Sequence, residues 1–353
     1  MASAAAATVR HTLLSPDLLL LITTYQRGIY IDMLPLAPLR AVPQALFRPT
    51  VLNTKMQRTH AVVDPWLQHH GLARLATLLS CLPHMHLVLT QHAVYVCDLF
   101  LASALHELVD LAAAVSDPLW DLAALQNHLP MLHFLHDVVG HTGYSFNAVQ
   151  WACEGGHLDV LAFLHAHLPN EDDEWTPAAM DAAAAHGHVH VVAFLHTHRT
   201  EGCTTNAMDK AAAHGHLDVV CYLHQHRTEG CTVAAMNLAL SYDHMHVVRW
   251  LHANRTEGCT AQAMNLAARD GNVDLVTWLH HHRPEGCTQE AMDEAAAEGH
   301  LDVVTYLHQH NLAKCSRVAL SRAVQHGHAA TASFLRAHGA LHEPREFTPR
   351  YHI

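Results

Sequence analysis

The chain of 353 residues is poor in charge: Asp, Glu, Lys and Arg make up 15%, against about 25% in an ordinary soluble domain. The charge present leans acidic, 32 Asp and Glu against 20 Lys and Arg for a formal −12, and no block of basic residues occurs. The cationic footprint that tracks a phosphate backbone is therefore missing, and nucleic acid is not an expected partner. Long apolar runs are missing as well. Leu18 to Ile22 is short, and Met85 to Val115 is interrupted by His92, Asp98, His106, Glu107 and Asp110, so no membrane span is expected. The first fifteen residues lack a basic segment ahead of their alanines and a strong apolar core, which argues against a secretory signal. An intracellular location, cytoplasmic or nuclear, follows as the expectation.

The motifs of catalysis are absent too. There is no Gly-rich phosphate loop, no Gly-x-Ser-x-Gly elbow and no His-Glu-x-x-His, so no catalytic residue, cofactor or small-molecule substrate is expected. Cys-x-x-Cys occurs nowhere, and a zinc site needs about four converging ligands. Histidine, by contrast, is abundant, with 38 copies, 28 of them between His128 and His338. Residues i and i+2 on a helix point apart, so pairs such as His224/His226 do not chelate together, and no metal is expected, although His186/His190 has a spacing that could serve. The histidines read as turn and capping residues. A pH- or metal-responsive sensor is the alternative, since imidazole titrates near 6.5 and the sequence pI is about 6.3.

The chain repeats itself with a period of 28. Gly-Cys-Thr recurs at Gly202, Gly230, Gly258 and Gly286, and Ala-Met at Ala179, Ala207, Ala235, Ala263 and Ala291. An aromatic residue followed by Leu marks Phe134, Phe163, Phe194, Tyr222, Trp250, Trp278, Tyr306 and Phe334, giving about eight units over 117–338. The longest spacing carries the acidic stretch Asn170 to Glu174, where a loop belongs. Each unit reads as two helices. A hydroxyl residue stands where the first helix needs an N-cap, at Thr176, Thr204, Thr232, Thr260, Thr288 and Ser316, and Pro177 takes the position that proline prefers. That helix runs through small residues such as Ala211 to Ala213 and stops near Gly187, Gly215, Gly271, Gly299 or Gly327. The second reads like Leu217 to His224, with Asp218 in its first turn and a broad apolar stripe of Leu217, Val220 and Leu223 flanked by Val219 and Tyr222. A unit of 28 residues cannot bury that stripe alone, whereas stacked copies can.

The segments Ala212 to Leu223 and Ala296 to Leu307, with the pattern Ala-x-x-Gly-His-Leu-Asp-Val-Val-x-x-Leu, resemble ankyrin repeats. The resemblance covers roughly 60% of the chain; Thr176-Pro177 and the ending His338-Gly-Ala340 are similar to that family too. It implies partner binding, because ankyrin arrays are protein-recognition scaffolds that use their hairpin fingers and first helices. The units depart from the family in being about five residues shorter in the finger, here reduced to Arg-Thr-Glu-Gly-Cys-Thr. Asp181, Asp209, Asn237, Asn265 and Asp293 replace the family's first-helix histidine, and histidine replaces the third leucine of the second helix in most units.

Several rows invite a functional reading. Cys203, Cys231, Cys259, Cys287 and Cys315 stand one per repeat; helix layers about 8–10 Å apart exceed the roughly 7 Å that a disulfide spans between Cα atoms, so they read as small packing residues. The aromatic row reads as core. Arg199, Arg227, Arg255 and Arg283 with Glu201, Glu229, Glu257 and Glu285 read as a solvated face with weak cross-repeat pairs. Binding is expected where the copies disagree on the first helices: Asn206, Lys210, Ala234, Leu238, Gln262, Leu266, Glu290 and Glu294. Leu238 and Leu266 occupy adjacent rungs between Lys210 and Glu294, an apolar centre with charged edges.

Residues 1–116 read as a helical N-terminal region without a clear 28-residue register. Ser15-Pro16-Asp17 opens a helix that stops at Gly28, Asp64-Pro65 opens another, and Gly71 to Leu79 has the look of a degenerate repeat. The region reads first as a solubilising cap for the array, which terminal repeats require; over about a dozen residues, Leu14 to Tyr25 is also similar to the start of an F-box, which implies docking to a ubiquitin ligase. The expectation is an all-α solenoid of stacked helix-turn-helix, ankyrin-like repeats over 117–338, with the helical region 1–116 before it and a tail at 339–353. Its function is expected to be a non-catalytic scaffold for one or more partner proteins, with a ubiquitin-ligase adaptor as the alternative.

Overall fold

A computed structural model of the chain describes residues 29–115, 117–168 and 175–339. The F-box-like Leu14 to Tyr25, the helix expected from Ser15 to Gly28, the acidic Asn170 to Glu174 and all but the first residue of the tail 339–353 lie outside the described residues. Among the described residues there are 21 α-helices and no strand, and the fold is an all-α solenoid of repeats. The chain divides into two compact units, 1–176 and 177–353.

In the first unit, α1 (Pro49–His70) buries Leu52, Met56, Thr59, Val63 and Trp66, spaced by three and four residues along one face. The expectation that Asp64-Pro65 opens a helix is corrected, because α1 continues through Pro65. Pro65 and Ala61 are both exposed, so water replaces the amide that Pro65 withholds from the Ala61 carbonyl. After α2 (Leu75–Cys81) comes α3 (Met85–Val96), followed by α4 (Leu99–Leu108) and the short α5 (Leu111–Ala114). Gln91 of α3 is fully buried yet satisfied: it accepts from the Val42 N–H at 2.8 Å and donates to the Val42 carbonyl at 3.0 Å and to Asp117 at 2.8 Å. These bonds pin the proline-rich segment to α3. Two helix pairs close this unit: α6 (Leu119–Leu125) with α7 (Leu129–His133), which runs on into a π-helical turn at Phe134–Val139, then α8 (Phe146–Gly155) with α9 (Leu158–His167).

The second unit stacks six helix pairs. They are α10 (Pro177–Ala185) and α11 (Val189–His198), α12 (Thr205–Ala213) and α13 (Leu217–His226), α14 (Val233–Ser241) and α15 (Met245–Asn254), α16 (Ala261–Arg269) and α17 (Val273–His282), α18 (Gln289–Glu298) and α19 (Leu301–Gln309), and α20 (Arg317–Gln325) and α21 (Ala329–Ala337). First helices pack on first helices through alanines such as Ala211, Ala212, Ala295 and Ala296, all fully buried. Second helices bury Val219, Val220 and Leu223 and their counterparts.

The hydroxyl N-cap does more than cap. Thr204 donates its backbone N–H to Asp181 at 2.8 Å and its hydroxyl to the other carboxylate oxygen at 2.6 Å, while accepting from the Asn206 N–H. Thr232 does the same with Asp209, and Ser316 donates its hydroxyl to Asp293. In the first unit Ser145 repeats the device on the buried Asp121. Where the acceptor is Asn the polarity reverses: the carboxamides of Asn237 and Asn265 donate to Thr260 and Thr288, occupying a hydroxyl lone pair. The Thr288 cap lengthens to 3.3 Å, and Thr260, expected to cap, makes no side-chain cap bond.

Of the aromatic row, Phe163 is buried as expected, whereas the members in the second unit depart from the core position. Tyr222, Trp250, Trp278, Tyr306 and Phe334 are half-buried, each met edge-on by a histidine of the preceding pair, as Tyr222 by His196 and Trp250 by His224. Phe194, Trp278 and Phe334 also stack on a histidine one turn later, as Phe194 on His198 at 4.3 Å, and Tyr222 and Tyr306 meet theirs at a tilt. His198, His282 and His338 turn Nδ1 to the carbonyl of that aromatic residue, which satisfies a last-turn acceptor.

Two outcomes follow. Asp209→Ala removes the acceptor for two Thr232 donors and is expected to cost about 1–3 kcal/mol, whereas Asp209→Asn reverses the bond as at Thr260 and costs less than about 1 kcal/mol; urea unfolding ranks the two. In the first unit, His92 is 1% exposed, and among the described residues its Nδ1 has no hydrogen-bond partner while His60 Nδ1 lies 3.1 Å from its Nε2. Burial, then the neighbouring His60, push its pKa down from 6.5 to about 4. The unfolded chain thus binds the extra proton between those values, so the stability held by neutral His92 is full above about pH 6.5 and falls as pH drops toward 4. Between about pH 7 and about pH 4.5 the loss is on the order of 2–3 kcal/mol, and a His92→Leu variant should show a pH dependence weaker by that amount in urea titrations.

Candidate interaction surface

The loops between repeats are built from Arg, Glu, Gly and Cys. Arg227 and Glu229 pair within one loop at 2.5 Å, as do Arg199 and Glu201; Arg283 pairs with Glu285 at 2.6 Å, and Arg255 pairs with Glu257. These pairs are partly buried, not a solvated face, and they also reach across repeats. The Arg227 guanidinium lies against Gly202, where an added Cβ would come within 2.5 Å of it, and is 3.3 Å from His196 Nδ1, while Glu229 accepts from the Cys203 N–H at 3.4 Å. The hydrogen bond from Arg227 brings the Glu229 carboxyl down to about 2. Burial, with Glu229 beside it, pushes the Cys203 thiol up to about 12, and burial raises Cys231 to about 11. All nine cysteines are free.

A second reciprocity joins the first-helix ends. The ring of His216 fills the space beside Gly187, where a Cβ would meet its Nδ1 at 2.6 Å; His244 fits Gly215, His300 fits Gly271 and His328 fits Gly299 in the same way. The pair at the next register breaks the rule, with Asp243 in place of Gly and Asn272 in place of His. Asp243 keeps the left-handed turn at φ 59°, a conformation Asp tolerates better than most residues. Asn272 folds back and accepts from the Leu275 N–H of its own helix at 3.0 Å. Leu240 also stands where four of the other five copies have alanine, Ala184, Ala212, Ala268 and Ala296, the last having Val324, and α14 and α16 pack less closely than the other neighbouring first helices of this unit. A recess of about 220 Å³ results, lined by Leu240, Ser241, Asp243, Leu266, Asp270, Asn272 and Leu275 among others.

On the other side of Leu266 a second recess of about 210 Å³ is lined by Gln262, Asn265, Leu266, Arg269, Glu290 and Glu294. Four of the eight residues singled out by sequence thus meet in one place: Gln262, Leu266, Glu290 and Glu294. Asn265 donates to Glu290 at 3.0 Å, and Glu294 pairs with Arg322. Leu238, at the same register on α14 as Leu266 on α16, is 36% exposed, with Tyr242 one turn on at 61%. Asn206 and Lys210 lie exposed on α12 and Ala234 half-buried on α14; none of these, nor Leu238, lines either recess.

Sequence reasoning missed Leu240, Asp243 and Asn272. Their signal was available in the same internal comparison, as departures at positions of packing duty rather than on the exposed helix face. Among the described residues no three His, Cys, Asp or Glu side chains converge as metal ligands would, and no helix is long and apolar enough to cross a membrane.

Family models described as ankyrin repeats match the chain at 149–196 and 180–224, in a model of many copies, and at 264–345, in a model of three copies. The chain contains ankyrin repeats. Such repeats mediate protein–protein interaction in general. The pair α14 and α15, which lies between the matched stretches, keeps the register and both helices of its neighbours. No curated protein matches the chain. Here the ankyrin finger is replaced by the Arg–Glu loop, and no strand forms in it among the described residues.

The thiol environment sets an expected reactivity. At about pH 8 iodoacetamide should modify Cys203 and Cys231 at least about 100-fold more slowly in the native protein than in urea, because the raised pKa leaves almost no thiolate; peptide mapping after timed quenching reads the rates.

Proposed function

We propose that this ankyrin-repeat protein is a non-catalytic scaffold whose partner docks on the first helices of the second unit, centred on Leu238 and Leu266. The observation that carries the reading is the placement of Leu266 between two recesses, with Leu238 and Tyr242 exposed on the adjacent helix. An apolar centre with charged groups at its edge, here Arg269, Asp270, Glu290 and Glu294, is the anatomy of a binding patch. Nine free cysteines fit a reducing compartment, the cytoplasm or nucleus.

Leu238 and Leu266 are not part of the alanine contacts that hold the first helices together, so substituting them tests docking without dismantling the stack. Leu238→Lys and Leu266→Lys should each reduce recovery of a partner captured from lysate by about tenfold or more, the loss expected of a central contact, while the thermal midpoint by circular dichroism stays within about 2 °C. Unchanged recovery with both variants would move the docking site elsewhere.

A further inference from the structure

The recess between α14 and α16 is more than a gap between repeats. At four other registers of this unit the same place holds an imidazole laid against a glycine. Here three departures coincide. Leu240 stands where an alanine allows close approach, Asn272 turns back to its own helix, and Asp243 replaces the glycine. The place of a flat nitrogen-bearing group is thereby left open, with Leu240, Leu266 and Leu275 as walls and the carboxylates of Asp243 and Asp270 at the rim. Among the described residues no hydrogen bond or ion pair engages the Asp243 carboxylate, whereas Asp270 shares an exposed pair with Arg269 at 3.0 Å. A pair so exposed is worth little and yields to a better partner.

We propose that this recess receives the guanidinium of an arginine from a partner protein. Guanidinium is planar, stays charged, and offers a fork of donors that matches a carboxylate, and its aliphatic stem packs along apolar walls. An ammonium matches the rim charge but not the flat slot. The inference deepens the proposed docking surface and rests on it, yet its test reads the recess alone.

The probe is Nα-acetyl-arginine amide, titrated into the full chain with methyl-labelled leucines and followed by NMR. The expected result is saturable shifts of Leu240, Leu266 and Leu275 with a Kd in the low millimolar range, at least about tenfold weaker binding of the neutral citrulline analogue, and weaker binding of the lysine analogue. The variant Asp243→Gly with Asn272→His installs the pair found at the neighbouring registers, so it is expected to fold at least as stably and to lose the shifts. Equal binding of the citrulline or lysine analogue overturns the proposal, as does a double variant that binds as the parent does. Arginine binding together with unchanged capture by the Leu238→Lys and Leu266→Lys variants would uphold the recess and sink the wider surface, and the reverse pattern would sink the recess alone.

Discussion

Each junction between successive pairs in the second unit depends on one polar contact, the bond between the hydroxyl residue that opens a first helix and the Asp or Asn of the preceding first helix. A helix of nine or ten residues is marginal alone, and a single pair cannot cover its own apolar stripe, so stability must come from neighbours. Apolar stacking supplies most of that energy but is tolerant of sliding. The two-point bond of Thr232 to Asp209 fixes the register, because a shift of one residue would strand a backbone N–H, a hydroxyl and a buried carboxylate together. Ser145 and Asp121 show the same solution within the first unit, where the aromatic spacing is irregular but the polar contact persists.

Glycine serves two separate needs in this chain, and the terminal repeats separate them. Gly187 and Gly215 have positive φ and also leave room for a ring of the next repeat. Gly286 and Gly327 keep positive φ, at 65° and 82°, with nothing near an added Cβ, so there the turn alone accounts for them. At residue 243 the need for room has lapsed because Asn272 brings no ring, and the turn by itself accepts an aspartate. The loss of glycine at one position and of histidine 29 residues later is therefore a single change in packing, seen from both sides.

The period, the paired helices and the capping hydroxyls were legible in the sequence because each is local or repeats at a fixed interval. The constant spacing of 23 residues from Asp181 to Thr204, and from Asp209 to Thr232, is equally visible in the sequence, yet each residue by itself reads as a cap or a substitution. What escaped were contacts in which one repeat completes another. The aromatic row reads as core from its own helix and becomes half-buried only when the preceding histidine is placed against it. The loop arginines read as solvated until Gly202 is seen to lie beneath Arg227. Pro65 misled for a different reason: on an exposed face, a missing helical bond can be replaced by solvent.

In a repeat array, stability is close to a sum of repeat terms and nearest-neighbour interface terms, so the weakest interface decides where the array opens. The interface of α14 and α15 with α16 and α17 lacks the Thr260 cap bond, lacks the imidazole that fills the other registers, and carries Leu240 as a spacer between first helices. Each departure costs packing or a hydrogen bond, and all three fall at one junction instead of being scattered through the array. The recess lies where the spacer Leu240, the missing ring at Asn272 and the turn residue Asp243 coincide. The weakened junction and the candidate binding surface thus fall at the same place, and packing that is missing there is packing that a side chain entering the recess would supply.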